Sequence, residues 1–468
     1  VTAVPILGIF TSYVVGNNYN EQFVETIAKV YETDVSKVKE AGISLSTYCQ
    51  KPDASQEVCS FDREIKLLKD ASSFTTFLGL GLIGFIFIAK LYAGKSRDRL
   101  ASVFNPTTVI AVGILSMSML IQGGIFTYAV YLLEATFIKR VHFIAIGSVG
   151  LASLVGALGL FKTAFAMNKD NPMVIFGQKL DSNNADKLLE LINSIAIKLG
   201  AQKPTNVIVG LEPNFYVTGA KVKIAGEDNE LSGTSLYISL PYLSILNKDE
   251  LTAVIGHELG HFKGKDTIFS MKFYPAYARL SKSIEGMKDV GLMSLPALAT
   301  IGLIHSQFTT AEKTIGRERE LEADKNGASI NGALPLITAL LKFSYFATQW
   351  NSLREHNINK LNEGTIYSNL PALYAEIAKM QFQDMNFDEE YQHLLGSHTS
   401  HPTDSHPSIK QRMASLGVSD SLINKELLNP SDTPLTEYLN NPDEITEATT
   451  MIEHRLMVGL GLATVPNN

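Results

Sequence analysis

Cysteine is nearly absent. The 468 residues contain two, Cys49 and Cys59, which excludes a small secreted fold held by a framework of disulfides. Basic charge is in deficit as well. With 40 Lys and Arg against 47 Asp and Glu, the net charge of −7 gives no electrostatic footing for nucleic acid. No Gly-rich loop followed by Lys-Ser/Thr occurs, so there is no cradle for a nucleotide's phosphates. Fixed-period repeats and low-complexity tracts are also missing.

Charge of either sign is lacking over several long runs. Ala71–Ala89 lies between Asp70 and Lys90, Leu100–Leu133 follows, and Val141–Phe161 is the third. Core helices of a large soluble protein are the alternative, but three such runs within a hundred residues do not suit a soluble core. Asn105-Pro106 is expected to open the spanning part of the second run. Gly and Ala positions in the third would let helices pack closely. The expected spans are about 71–92, 106–133 and 141–165, within a transmembrane region of 71–168. Residues 1–20 are uncharged too, apolar over Val4–Val15, and lack a basic leader and a clear cleavage site. They read as a short hydrophobic first helix or signal-anchor.

Basic residues orient these spans. Lys90, Lys95, Arg97 and Arg99 follow the first run and Lys162 and Lys169 the third; Lys139 and Arg140 oppose them. The majority places loop 94–100 and everything after 169 in the cytoplasm and turns segment 21–70 outward. Cys49 and Cys59 both fall in that outward segment, where they can close as a disulfide; two free thiols are the alternative. The expected setting is a lipid bilayer, multi-pass, as a bacterial inner membrane with the domain that follows residue 169 cytoplasmic.

His257-Glu258-Leu259-Gly260-His261 carries the chemistry. On a helix, residues four apart share a face, so two imidazoles can hold one Zn²⁺ while the Glu between them reaches the attacking water as general base. By chance such a pentapeptide occurs in roughly one chain per hundred of this length, so context matters. Asn247 can cap a helix starting at Lys248, Asp249 and Glu250 put negative charge in its first turn, Leu251, Val254 and Ile255 form an apolar stripe, and Gly264 is a natural stop. A third ligand is expected from Arg317-Glu318-Arg319-Glu320-Leu321-Glu322-Ala323-Asp324. Glu320 and Asp324 lie four apart, one to bind metal and the other to accept the free ring N–H of a ligating His. Glu318 and Glu322 remain alternatives, without a carboxylate four residues downstream. By itself this segment also fits a solvated face of ion pairs.

Val254–His261 followed by Glu320–Asp324 resembles the membrane-bound zinc metallopeptidases, the family of the CAAX prenyl endopeptidases and the HtpX-type proteases. Glu212-Pro213-Asn214-Phe215 is similar to the family's segment upstream of the motif helix, and His406-Pro407 with Arg412 to its downstream element. The similarity covers roughly residues 170–415. It implies a gluzincin site with one Zn²⁺ per chain: His257, His261 and Glu320 as ligands, Glu258 as catalytic base, Asp324 behind a ligand. Leu321 departs from the family, which more often has an aromatic residue there. The resemblance also places His406 near the cleft, where it or Arg412 could stabilise the oxyanion. Arg412 pairing with a carboxylate behind the ligands is the alternative, and Asn214 is either a contact to substrate backbone or a turn residue.

The expected fold class is α+β, a mostly helical integral membrane protein. It combines a zincin-like catalytic domain, with the H-E-x-x-H helix and a small sheet, and transmembrane helices. The metallopeptidase domain spans 169–416. Within it, Ala185–Leu199 reads as an amphipathic helix, and Val207–Val209, Phe215–Thr218 and Leu236–Leu240 as strands. Either of the last two could be the edge that takes a peptide as an added strand. An apolar insert, 267–308, separates the two half-sites. Thr267–Leu280 and Val290–Phe308 form a hairpin that returns to the side it left, or 290–308 is a buried or interfacial helix. Trp350 with Phe343, Tyr345 and Phe346 fits a helix packed on the core, and residues 417–468 form a polar, acidic cover or regulatory tail. The expected function is a membrane-bound zinc metalloendopeptidase, a hydrolase acting on peptide or membrane-protein substrates in quality control or processing. A catalytically idle scaffold with a structural zinc site is one alternative, and a prenyl-peptide processing protease is another.

Overall fold

A computed structural model describes residues 3–94, 96–166, 172–263, 295–396 and 407–464. The chain divides into two compact units: Val1–Lys169 with Ala276–Ala311, and Asp170–Pro275 with Glu312–Asn468.

The first unit is helical. It runs α1 (Ala3–Val30), α2 (Val35–Glu40), α3 (Leu45–Tyr48), α4 (Gln56–Ala93), α5 (Arg97–Leu133) with a π-helical turn at Glu134–Ile138, and α6 (Phe143–Ala166). Helix α1 extends well past the expected residue 20, because Val24 and Ala28 bury themselves against Val38 of α2. Cys49, at the end of α3, is disulfide-bonded to Cys59 in the first turns of α4. The expected role of Pro106 is corrected. Helix α5 starts at Arg97 and carries Pro106 in its interior. The missing proline N–H costs one backbone bond, tolerated when helices pack around it. Close packing comes from small residues: a Cβ on Gly8 of α1 would clash with Ser72 Oγ of α4, and one on Gly123 of α5 with Ser153 Cβ of α6. Among the described residues, α4 and the stretch Asp98–Ile138 are long and apolar enough to cross a membrane. Only 28% and 39% of their most apolar windows are buried. Phe74, Phe77 and Leu91 instead point outward, the reverse of a soluble core helix.

The second unit is α+β. Its strands are β1 (Met173–Ile175), β2 (Gln178–Leu180), β3 (Asn206–Gly210), β4 (Tyr216–Thr218), β5 (Val222–Ile224), β6 (Glu230–Leu231) and β7 (Ser235–Ser239). They form one sheet of order β1-β5-β6 and another of order β2-β3-β7-β4. Strand β7 pairs on both sides, parallel to β3 and antiparallel to β4. Of the two strands expected as candidate edges, β7 is therefore interior and β4 is the edge. Between β2 and β3 lies α7 (Asp186–Leu199), whose Leu188, Ile192, Ile195 and Leu199 bury one face and which ends at Gly200 with φ +62°. A short α8 (Leu240–Leu243) leads into α9 (Lys248–Lys263).

Helix α9 is buried on every face from Glu250 to Phe262, not along one stripe. Its first turn shows why that is tolerated. Asn247 and Glu250 cap each other reciprocally, the Glu250 N–H donating to Asn247 Oδ1 at 3.0 Å and the Asn247 N–H to Glu250 Oε2 at 2.8 Å. Buried Lys342 pairs with the same carboxylate, its ammonium donating to Glu250 Oε2 at 2.9 Å. Burial raises the Glu250 pKa and lowers that of Lys342, each against the pull of its partner.

The remaining helices are α10 (Leu295–Asn331), α11 (Ala333–Asn362), α12 (Leu370–Gln383), α13 (Phe387–Gly396), α14 (Ile409–Leu416) and α15 (Pro442–Gly459). Where the insert expected at 267–308 is described, it opens a longer helix, and Ala276–Ala311 groups with the first unit. Residues 295–308 are the opening turns of α10 and run without a break to Asn331; Thr267–Leu280 lies outside the described residues. Helix formers such as Ala311, Glu312, Lys313 and Arg317 carry the helix onward. Trp350, Tyr345 and Phe346 are buried on α11 as expected. Residues beyond Leu416 are no loose tail. Leu428, Leu435, Leu439 and Ile445 join the same core as α9, and Ser431 N–H bonds the Ile245 carbonyl at 3.0 Å.

Candidate metal centre

Two glycine-lined helices make the site. Along α9, Gly256 and Gly260 face α10. A Cβ on Gly256 would lie 3.2 Å from Gly327 Cα, and one on Gly260 would lie 2.9 Å from Asn326 Cβ. From the other side, a Cβ on Gly327 would sit 2.6 Å from the Ala253 carbonyl oxygen. The backbones therefore meet with no side chain between them, the small-residue contact familiar from close helix pairs. That approach lets short side chains from both helices converge.

They converge on one point. The donor atoms of His257, His261 and Glu320 lie within 4.8 Å of one another. His257 Nε2 is 3.5 Å from Glu320 Oε2, and His261 Nε2 is 3.5 Å from Glu320 Oε1. The two rings stand perpendicular with centroids 5.0 Å apart. A tetrahedral ion with bonds of about 2.0–2.1 Å has ligand–ligand edges of about 3.3–3.4 Å, and each imidazole approaches one oxygen of Glu320 at about that distance. Two imidazoles and one carboxylate are also the right donors, and they leave a fourth position for a reactant. Glu318 and Glu322 are exposed and stand outside the cluster.

Behind the donors, Asp324 is wholly buried. Its Oδ1 accepts from His257 Nδ1 at 2.9 Å, the tautomer that leaves Nε2 as a lone-pair donor. Arg412 grips the same carboxylate with both arms: Nε donates to Oδ2 at 2.8 Å, and Nη2 to Oδ1. The geometry thus places Arg412 on Asp324, the pairing alternative of the sequence reading. Helix α14 positions it, held at its start by a capping box between Ser408 and Gln411. Burial works against charge at both His257 and Asp324 and is outweighed. Hydrogen bonds to Asp324 and Glu320 push the His257 pKa up to about 10, with Arg412 opposing. His257 and Arg412 hold Asp324 below its ordinary value. The pocket therefore favours positive charge at the donors, which a metal cation supplies once it displaces the proton.

Glu258, on the same helix, is 9% exposed. Asn214 is exposed in the turn that enters β4, with its N–H on the Glu212 carbonyl. His406 lies outside the described residues. Residue-by-residue reading missed the three glycines and Lys342. Gly256-x-x-x-Gly260 inside the motif was the visible signal for the helix contact; Gly327 had no comparable local signal. Gly327→Val is expected to push α10 about 1 Å or more away, beyond the roughly 0.2 Å tolerance of metal–ligand distances. Metal content should fall well below one per chain while circular dichroism still shows a helical protein. Full metal occupancy would refute the close-contact argument.

A motif helix bearing two imidazoles and a glutamate is crossed by a second helix with a third donor and its supporting carboxylate, a set of donors that could hold one metal ion. Residues 182–418, just over half of the chain, match the model of Peptidase family M48, and the chain belongs to that family. It is similar to proteins named Protease HtpX homolog. The one from Thermoplasma volcanium is 31% identical over 181 residues, covering 36% of this chain and 55% of that protein. For Archaeoglobus fulgidus the figures are 25% over 278 residues, 57% and 74%, and for Pyrococcus furiosus 28% over 235 residues, 45% and 78%. The chain thus spans about half the length of the first of these relatives and about three quarters of the other two. No solved structure matches the chain.

Proposed function

We propose that this protein is a membrane-embedded, zinc-dependent endopeptidase. The observation that carries the reading is the meeting of His257, His261 and Glu320 within 4.8 Å, with Glu258 between the two histidines on the same helix. Zinc held by these residues would supply a Lewis acid for the scissile carbonyl and lower the pKa of water toward neutrality. Glu258 takes the proton of the attacking water and passes it to the leaving amine. Asp324 fixes the tautomer of His257, and Arg412 keeps Asp324 ionised and aimed. Edge strand β4, paired on one side among the described residues, takes an extended peptide as an added strand, with Asn214 at its entrance as a backbone contact. His406 keeps the oxyanion role that the resemblance implies.

The outward-facing apolar surface of α4 and α5 supports insertion in a bilayer, with 169–416 as the peptidase domain and 417–468 as its cover. The basic residues favour a cytoplasmic face for that domain, as in a bacterial inner membrane. The resemblance to the HtpX-type proteases favours membrane-associated or damaged membrane proteins as substrates. Glu258 argues against an idle scaffold, since a structural site needs no base.

Dialysis of the purified chain against a chelator is expected to abolish cleavage of an unfolded membrane protein. Readdition of about one equivalent of zinc should restore it. Cleavage that survives with less than a tenth of the metal would sink the reading. Faster cleavage of a prenylated peptide than of the unfolded protein would instead point to prenyl-peptide processing.

A further inference from the structure

A cavity of about 740 Å³ lies within the first unit, between α1 and α4 and roofed by Leu45 of α3, a size ordinary for a small-ligand site. Its wall changes character along α1. Ile6, Ile9, Phe10 and Tyr13 line one end, spaced as one helical face, and Asn17 and Asn20 continue that face at the other. Gly16 stands between and leaves the cleft open. Across the cleft α4 contributes Asp62 beside the amides and then Lys66 and Lys69 along its length, since Gly16 meets Ile65 and Gly8 meets Ser72.

We propose that this cleft holds one phospholipid of the outer leaflet, its phosphate against Lys66, Lys69 and the two amides and a chain along Ile6–Tyr13. The inference rests on the reading of the first unit as membrane-embedded. Length agrees. At about 1.5 Å per residue, Ile6 to Asn20 rises about 21 Å, and one leaflet with its headgroups is about 20–22 Å thick.

Charge agrees as well. Lys66 pairs with Asp62 at 2.6 Å, whereas the Lys69 ammonium has no carboxylate partner among the described residues, so the rim carries one net positive charge. Asn20 Oδ1 is taken by the Leu45 N–H at 2.9 Å. Its amide nitrogen and that of Asn17 have no acceptor among the described residues. Unmatched donors at one end and an unmatched apolar wall at the other describe an anionic amphiphile.

The full chain, purified in detergent, stripped of lipid and titrated under native mass spectrometry, tests this. One phosphatidylglycerol per chain is expected to bind at least tenfold more tightly than phosphatidylcholine. Lys66→Gln with Lys69→Gln should erase the preference. Gly16→Leu has room at Cβ, 3.5 Å from Ile65 Cγ2, and should fill the cleft and weaken both lipids. Binding without preference, unchanged in both variants, overturns the proposal in favour of a bulk lipid annulus. Full competition by glycerol 3-phosphate overturns it in favour of a soluble phosphate. Alkaline extraction separates the two readings. A chain that leaves the vesicles defeats the membrane reading itself, and a chain that stays without selective binding defeats this inference alone.

Discussion

Glu258→Gln is expected to keep about one metal per chain and to lose peptide hydrolysis, with kcat falling about 10²–10⁴-fold and KM nearly unchanged. Glutamine matches glutamate in shape, and His257 is held by Glu320 and Asp324, with Asp324 held in turn by Arg412. What disappears is a base able to hold the proton of the attacking water until the amine leaves. Residual turnover should reflect polarisation and binding alone. Metal analysis beside steady-state kinetics distinguishes the outcomes. Unchanged kcat would remove Glu258 from the mechanism, and loss of metal together with activity would make it part of the binding site.

Local signals made half of the centre legible. The spacing of His257 and His261, the cap at Asn247 and the four-residue step from Glu320 to Asp324 are all properties of single helices, and single-helix periodicity is written in the sequence. How the helices meet is not. Gly327 becomes essential because it touches Ala253 and His257, some seventy positions earlier, and no local pattern encodes that contact. Glu250 illustrates the same limit. As a first-turn acid it reads as a complement to the helix dipole, yet it is buried against Lys342 from another helix. Strands β1, β2, β5 and β6 have two or three residues each, too few to show alternation. Pro106 was misleading because a proline near the start of an apolar run marks a helix end only where water, not neighbouring helices, surrounds it.

Asp324→Ala is expected to damage both stability and metal binding, through separable routes. The first is Arg412. Arg412 is 6% exposed and its guanidinium makes two hydrogen bonds to Asp324, so removing the carboxylate leaves a buried cation without its partner. Breaking such a pair costs about 3–5 kcal/mol, which should lower the thermal midpoint by roughly 10 °C. The second route is His257, which loses the acceptor that selects its tautomer, and zinc affinity should fall about 10–100-fold. Pairing Asp324→Ala with Arg412→Leu separates the two. With no cation left to strand, the double variant should regain most of the thermal midpoint. Zinc affinity should stay low, because the Nδ1 proton of His257 still has no acceptor. If affinity recovered along with stability, Asp324 would serve only to neutralise Arg412, and its role behind the metal ligand would have to be given up.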